Sequence, residues 1–120
     1  MEKVNLSQKF GLFDDLWSPK IVGELNGQYV KLAKLKGEFV WHRHEAEDEL
    51  FMVIEGTLVI QLQGQDDIVL EPGEFVIIPR GVEHKPVAAE EVHVLLFEPQ
   101  STQHTGNVKT ERTVEKLDWI

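Results

Sequence analysis

Apolar and polar residues alternate with a period of two from about Lys20 to Glu98, and many of the apolar ones are β-branched. Such alternation is typical of strands that bury one face, since successive side chains point to opposite sides of a sheet. Asn26 and Gly27 separate two of these runs, and both residues tolerate the positive φ of a tight hairpin turn. Further turn residues recur at intervals of roughly ten residues. The pattern predicts about eight to ten short strands, no interior helix, and an all-β sandwich or barrel.

The two ends of the chain do not share this alternation. Residues 1–19 contain apolar side chains that fit no single period, so we expect an N-terminal arm with at most a short helical turn. Residues 99–120 form a polar tail, in which a few apolar side chains could anchor the chain to a surface, namely Val114, Leu117, Trp119 and Ile120. A length of 120 residues predicts one domain over 1–120, with its barrel core at about 25–98.

Composition narrows the classes of function. An apolar share of 42% supports a hydrophobic core, and a net charge of −9 argues against nucleic acid or an anionic membrane surface as a partner. No apolar run approaches the length of a membrane span, and the start MEKVNLSQKF lacks the pattern of a secretory signal. The chain has no cysteine, which excludes disulfides, thiolate nucleophiles and thiolate-ligated metals. We expect a cytoplasmic protein.

The stretch WHRHEAEDELFMVIEG holds the first candidate for chemistry. His42 and His44 stand at i and i+2, so on a strand both imidazoles would project from one face, with Cα atoms about 7 Å apart. Glu49 lies across a turn, on a strand that we expect to pair with the first, and His84 follows a later turn near the start of another strand. Three imidazoles and one carboxylate suit a divalent transition metal, namely iron, manganese, nickel, cobalt, copper or zinc.

Each of these residues also has an ordinary structural interpretation. A pair of histidines on a strand is often a polar surface feature, and an acidic run such as the one around Glu49 is often a solvated turn. Within that run, Glu47 and Asp48 are alternative carboxylate ligands. Alternation places His93 on a strand as a hydrogen-bonded core or cavity-lining histidine, and His104, in the polar tail, is expected to be exposed to solvent.

Alternation also predicts what surrounds the histidines. The same face carries apolar side chains, which predicts a mostly apolar pocket with a polar floor: Val40, Phe51 and Val53. Phe39 and Trp41 fall on the opposite face, so Trp41 would belong to the core or to an interface. Arg43, which stands between the two histidines, should point outward.

Two motifs in this chain together resemble those of the cupin superfamily. The first, usually written G-x5-H-x-H-x3,4-E-x6-G, is matched by Gly37, His42, His44, Glu49 and Gly56. The second, usually written G-x5-P-x-G-x2-H-x3-N, is matched by Gly73, Pro79, Gly81 and His84. There are two small departures from the motifs: only four residues separate Gly37 from His42, and Ala88 stands where the family often has Asn.

The resemblance implies a double-stranded β-helix, the jelly-roll barrel of cupins, with a metal bound in its mouth. By resemblance the ligands would be His42, His44, Glu49 and His84. The segments around both motifs are also similar to small single-domain bacterial cupins described as mannose-6-phosphate isomerase-like. That description rests on shared fold and motif, which do not by themselves define a reaction.

These observations predict a metal-dependent enzyme that acts on a small oxygen-rich organic molecule by isomerase, decarboxylase, lyase or dioxygenase chemistry. The alternative is a non-catalytic module that binds or senses a metal or a small ligand. An exposed sheet on such a barrel also predicts a homodimer, with Trp41, Met52 and Ile54 on the outer face and WSPKIV at residues 17–22 as a candidate interface segment. The other interpretation of these apolar residues is that they fill the core between the two sheets.

Overall fold

The computed structural model describes residues 1–106, 108 and 116–120 of the chain. It contains one short helix and eight strands: α1 (Leu6–Phe10), β1 (Lys20–Leu25), β2 (Gln28–Glu38), β3 (Glu49–Glu55), β4 (Leu58–Leu62), β5 (Ile68–Leu70), β6 (Phe75–Ile78), β7 (His84–Pro99) and β8 (Asp118–Trp119). The predicted all-β, jelly-roll class of fold is confirmed. No helix in the described part of the chain is long and apolar enough to cross a membrane.

Strand β7 connects the parts of the barrel because it pairs with three other strands. The main sheet has the order β5-β4-β7-β2-β1-β8, and β3 joins it by pairing with β7 on one side and β6 on the other. Strand β4 pairs with residues 84–87 of β7, β3 pairs with residues 93–97, and β2 pairs along most of its length. This one long strand thus joins β2, β3 and β4 into a single sheet.

The same strand corrects a prediction. The sequence indicates two strands separated by a turn at Glu90–Glu91, but the chain continues through this point as a single strand. The register against β2 shifts here, from Leu35 opposite Val92 to Gly37 opposite Ala88, so extra residues of β7 bulge outward. A bulge bends and twists a strand without ending it. It also leaves the two carboxylates in solvent, which is why they resemble turn residues in the sequence.

The interior of the barrel and one outer face are both covered by apolar side chains. The interior cluster is formed mainly by inward-facing strand residues, including Leu35, Phe51, Val53, Leu58, Ile60, Val92, Val94 and Leu96. On the outside, Phe10 and Phe13 of the N-terminal arm pack on strands β1 and β2, against Val22 and Leu32. The arm therefore shields an apolar sheet face from water, which stabilises the fold through the hydrophobic effect.

Both flanks are built into the barrel more fully than the sequence indicates. Segment 17–22, the candidate interface, is almost wholly buried within the chain, so it offers little surface to a partner. The tail is more than a polar appendage, because Thr102, His104 and Thr105 are buried and β8 pairs in parallel with β1. Val114, one of the predicted anchors, lies outside the described residues.

The histidine pair lies on an irregular segment instead of a strand. Strand β2 ends at Glu38, directly after Gly37 turns the chain with a φ of +85°, so the alternation stops there. The sequence places Phe39 on the face away from the histidines. In the structure its ring is buried, stacks on Trp17 with centroids 4.5 Å apart, and lies edge-on to His42 at 5.5 Å. That prediction is wrong because side chains alternate only while the backbone stays extended.

Candidate metal centre

Four side chains that the sequence indicates as ligands meet inside the barrel. His42, His44, Glu49 and His84 each offer one nitrogen or oxygen donor, and these donor atoms lie within 4.8 Å of one another. All four residues are buried, with exposures of 4% or less. With bonds of about 2.1 Å, adjacent ligands of a six-coordinate ion are about 3 Å apart and opposite ligands about 4 Å apart. The cluster is slightly wider than this, and small side-chain movements would close it around an ion.

Backbone hydrogen bonds between the two motif segments set the positions of the histidines. His42 and His84 exchange a reciprocal pair of N–H···O bonds, at 3.0 and 2.9 Å, and form an isolated antiparallel bridge. The N–H of Gly81, a residue with a φ of +82° that favours glycine, donates to the carbonyl of His44 at 2.8 Å. Glu49 is the first residue of β3. The sequence predicts that this strand pairs with the histidine segment, but it pairs with β6 and β7 instead.

Two of the imidazoles are oriented by further hydrogen bonds to carbonyl groups. Nδ1 of His42 lies 2.9 Å from the oxygen of Val40, and Nδ1 of His84 lies 2.9 Å from the oxygen of Val82. Because a carbonyl only accepts, each Nδ1 carries the proton and each Nε2 keeps its lone pair. Both Nε2 atoms are buried and have no hydrogen-bond partner among the described residues. Buried polar atoms are normally paired, so these two lone pairs are suited to bind a metal ion.

Burial also determines the charge of the cluster. Desolvation, assisted by the neighbouring His84, lowers the pKa of His42 to about 4. The imidazole is therefore neutral at neutral pH, which is the form that binds a metal. Glu49 occupies the middle of the group: its Oε1 lies 3.1 Å from Nε2 of His44 and 3.5 Å from Nε2 of His84.

A second buried carboxylate, Glu98, lies against Glu49. Burial and then the charge of Glu49 raise the pKa of Glu98 well above its usual range. Burial also raises the pKa of Glu49, but the contacts of its carboxylate with His44, His84 and Glu98 outweigh it and hold that pKa well below its usual range. The two carboxyl groups thus share one negative charge. Lys31 balances it, with Nζ at 2.8 Å from Oε1 of Glu98.

This charge balance fits a divalent ion. With both carboxylates ionised, the buried group would hold two negative charges and a single positive charge, on Lys31. A divalent cation beside Glu49 would change the net charge of this group from negative to positive. It would also offset the repulsion from Glu49 that keeps Glu98 protonated. Imidazole nitrogens and a carboxylate oxygen, without thiolates, are donors that suit iron, manganese, nickel, cobalt, copper or zinc. The residues present therefore fit the metal that the motifs imply.

The acidic residues next to Glu49 have other roles. Asp48 accepts a hydrogen bond from the backbone N–H of Arg80 at 2.9 Å, which ties together the turns that carry the two motifs. Glu47 accepts one from the hydroxyl of Ser101, also at 2.9 Å. Neither belongs to the four-donor cluster.

The remaining histidines and Trp41 differ in how well they follow the predictions. His93 is hydrogen-bonded, as expected, but it lies on the outer face, stacked on Phe10 at 4.7 Å and beside two surface carboxylates. The prediction of a solvent-exposed His104 is wrong, because only 7% of it is exposed and its ring stacks on Phe39 at 5.7 Å.

Trp41 is exposed and is therefore not a core residue, whereas Arg43 points outward as predicted, towards a surface glutamate.

Two cavities adjoin the cluster. An open pocket of about 600 Å³ reaches His44, and its described lining mixes apolar surface with many polar residues, including Tyr29, Lys31, Glu45, Glu47, Gln100 and Thr102. A smaller cavity of about 30 Å³ borders His42 and Glu49, and the rest of its lining is mostly apolar, including Trp17, Leu35, Phe39 and Phe51. The prediction of an apolar pocket with a polar floor describes the smaller cavity and is wrong for the open one.

Sequence reasoning missed the buried polar residues behind the cluster. Glu98 occupies an inward position of β7, two residues after Leu96, and Lys31 occupies an inward position of β2, two residues before Ala33. Strand parity alone would have placed both side chains in the interior, where a charged residue needs a partner. No comparable signal existed for His104, because the segment that carries it is irregular.

Comparisons with known proteins agree with this fold. A family model described as Cupin domain matches residues 28–98. A cupin-2 domain containing protein from Shewanella frigidimarina NCIMB 400 is 48% identical, with a TM-score of 0.79 over 81% of this chain and 94% of that one. The structure of protein NMB1881 from Neisseria meningitidis is 26% identical, with a TM-score of 0.76 over 82% of this chain and all 100% of that one.

A curated relative matches a shorter part of the chain. YdbB of Bacillus subtilis is 39% identical over 64 residues, which are 53% of this chain and 57% of that protein. The chain therefore spans little more than half the length of this relative. The family model, however, covers more than half of this chain, and the matched region contains both motifs and all four donors. The chain belongs to the cupin family.

Proposed function

We propose that this protein is a metal-dependent enzyme that acts on a small oxygen-rich organic molecule. One observation carries the proposal: buried imidazole lone pairs and a carboxylate converge on one point, directly beside an open pocket. The volume of that pocket, about 600 Å³, lies within the range of sites that bind small molecules.

A divalent transition metal held by the four donors would supply Lewis-acid activation of a substrate oxygen, or dioxygen chemistry if it is iron. The chain's own residues prepare the site for it. The backbone carbonyls of Val40 and Val82 hold the tautomers of His42 and His84, so that each Nε2 is free to bind. Glu49 provides the anionic donor, and its low pKa keeps it ionised at neutral pH.

Charge favours an anionic oxygen group as the part of the substrate that binds. Three neutral imidazoles, one carboxylate and a divalent ion leave about one positive charge, which attracts a carboxylate, enolate or phenolate. The open pocket itself has no excess of positive charge, because Lys31 is paired with buried Glu98 and Lys116 is offset by Glu45 and Glu47. This balance does not favour a phosphate dianion. A small carboxylate or carbonyl compound therefore fits better than the sugar phosphate of the mannose-6-phosphate isomerase-like hypothesis.

The second candidate is a non-catalytic module that stores or senses a metal or small ligand. The burial of the cluster favours it, because His44 is the only one of the four donors that borders the open pocket in the described structure. Such a module would bind its metal tightly and show no turnover. The enzyme would convert at least one small compound when loaded.

Activity assays on metal-loaded protein separate the two candidates. The protein is loaded in turn with Fe²⁺, Mn²⁺, Co²⁺, Ni²⁺ and Zn²⁺, and oxygen uptake and substrate loss are measured on a panel of small carbonyl and phenolic compounds. We expect turnover that is lost in Glu49→Gln and kept in the matched variant Glu47→Gln, since only Glu49 belongs to the cluster. Tight stoichiometric metal binding without turnover on any compound would favour the binding module.

We also propose that the protein forms a homodimer through the outer face of β3 and β6. Phe75 and Ile77 are 58% and 53% exposed, and they lie opposite Met52 and Leu50 in the strand pairing, so the apolar side chains are adjacent. Exposed apolar patches of this kind often mark interfaces. Sedimentation should give a dimer for the wild type and a monomer for Phe75→Glu; a wild-type monomer at micromolar concentration would contradict the proposal. The cytoplasmic location stays a prediction.

A further inference from the structure

The chain beyond β7 forms one wall of the open pocket. Segment 100–106 contributes most of its residues to the lining, together with His44 of the cluster. The segment is held at its start: the N–H of Gln100 donates to the carbonyl of Gly27 at 3.0 Å, and the hydroxyl of Ser101 donates to Glu47 at 2.9 Å. Thr102, His104 and Thr105 are buried, so this wall is packed against the barrel.

The end of the segment touches the histidine pair directly. Gly106 has a φ of +59°, and a Cβ at this position would lie 2.3 Å from the carbonyl oxygen of Arg43 and 2.9 Å from Cδ2 of His42. Non-bonded atoms do not approach so closely, so the backbone can lie against His42 only because residue 106 has no side chain. This contact fixes how near the segment, and His104 within it, comes to the cluster.

His104 stands where the two cavities meet. It is the only described residue that lines both the open pocket and the smaller cavity beside His42 and Glu49. Its ring stacks on Phe39, which is itself edge-on to His42. It is not a member of the four-donor cluster. Its place in the structure is therefore between the open pocket, which His44 borders directly, and the smaller cavity, which His42 and Glu49 border.

We propose that His104 controls access from the open pocket to the metal centre and so determines which molecules reach it. The inference rests on the proposed metal site and adds a specificity-determining residue to it. In the described arrangement the imidazole lies between an open space of about 600 Å³ with many polar residues in its lining and an apolar space of about 30 Å³. A substrate in the pocket reaches the inner donors with a narrow group that passes the ring, or after the ring moves aside. The site thus selects molecules with one small oxygen-bearing end.

The experiment measures how fast metal leaves the folded protein. Wild type, His104→Ala and His104→Phe are loaded with Co²⁺, and its release to excess EDTA is followed spectroscopically, alongside the equilibrium affinity for Co²⁺. His93→Ala is the matched control, because it removes a histidine ring from the outer face of the same barrel. Phenylalanine at position 104 keeps a ring that can stack on Phe39 but offers no nitrogen.

We expect His104→Ala to release Co²⁺ about tenfold faster than wild type with its equilibrium affinity unchanged, which corresponds to a barrier lowered by about 1.4 kcal/mol. His104→Phe and His93→Ala should release it at close to the wild-type rate. Stoichiometric Co²⁺ with equal release rates in all four proteins would overturn the access role and leave the metal site intact. A large loss of affinity in both position-104 variants would make His104 a ligand instead. A wild type that binds no Co²⁺ would overturn the proposed function, and this inference with it.

Discussion

Replacing Lys31 with methionine should be among the most destabilising changes that leave the four donors untouched. The Lys31 side chain is 1% exposed and its partner Glu98 is fully buried, with 2.8 Å between Nζ and Oε1. Removing Lys31 leaves the single negative charge that Glu49 and Glu98 share without a cation to balance it, and breaking a buried pair in this way costs about 3–5 kcal/mol. A matched surface variant is Lys85→Met, which removes a lysine paired with an exposed carboxylate, Glu38, and should cost no more than about 1 kcal/mol.

The assay is urea unfolding at pH 7, with and without a saturating divalent metal. A cation beside Glu49 supplies the positive charge that Lys31→Met removes, so the cost of the substitution should be clearly smaller in the metal-loaded protein. By linkage, the variant should then bind the metal more tightly than wild type does. Equal costs for Lys31→Met and Lys85→Met, or a cost for Lys31→Met that metal does not change, would refute the electrostatic coupling between this pair and the site.

Two further predictions concern pH and backbone geometry. Burial lowers the pKa of His42 to about 4 from an unfolded value near 6.5, so the unfolded chain binds a proton before the folded protein does as pH falls. The free energy of unfolding of the metal-free protein should therefore fall by up to about 3 kcal/mol between pH 6.5 and 4. In urea unfolding, His42→Gln should reduce this dependence on pH. Gly56→Ala should lower the midpoint of thermal unfolding more than Gly64→Ala does. Both glycines have positive φ, +90° and +75°, but only at Gly56 would a Cβ approach backbone, 3.0 Å from the carbonyl oxygen of Glu91; equal shifts would contradict the steric part of the argument.

Local patterns were sufficient for most of the strands and for the four residues that the structure brings together as a cluster of donors. Asn26 and Gly27 form the predicted two-residue hairpin turn, with φ of 50° and 80°, because turn conformation depends mainly on the residues in the turn. The donors were found although the strand geometry assumed for them was wrong. His42 and His44 converge through a bridge to His84 on an irregular segment, and the residue types that a metal needs are recognisable without knowing the backbone that carries them.

What the sequence did not indicate depends on contacts between distant segments. The burial of His104 follows from the packing of segment 100–106 against Phe39 and the histidine pair, and nothing within the polar tail suggests it. The continuity of β7 at Glu90–Glu91 likewise depends on the bulge against β2. In both cases tertiary pairing determined the outcome, and the local residue types indicated a different one.

The most direct test of a metal centre built by these four residues is an anomalous-scattering map of a crystal of the protein loaded with Mn²⁺ or Co²⁺. The account predicts one strong peak per chain, about 2.0–2.2 Å from the donor atoms of His42, His44, Glu49 and His84. A map with no peak between these donors, or with its peak on surface carboxylates alone, would contradict it.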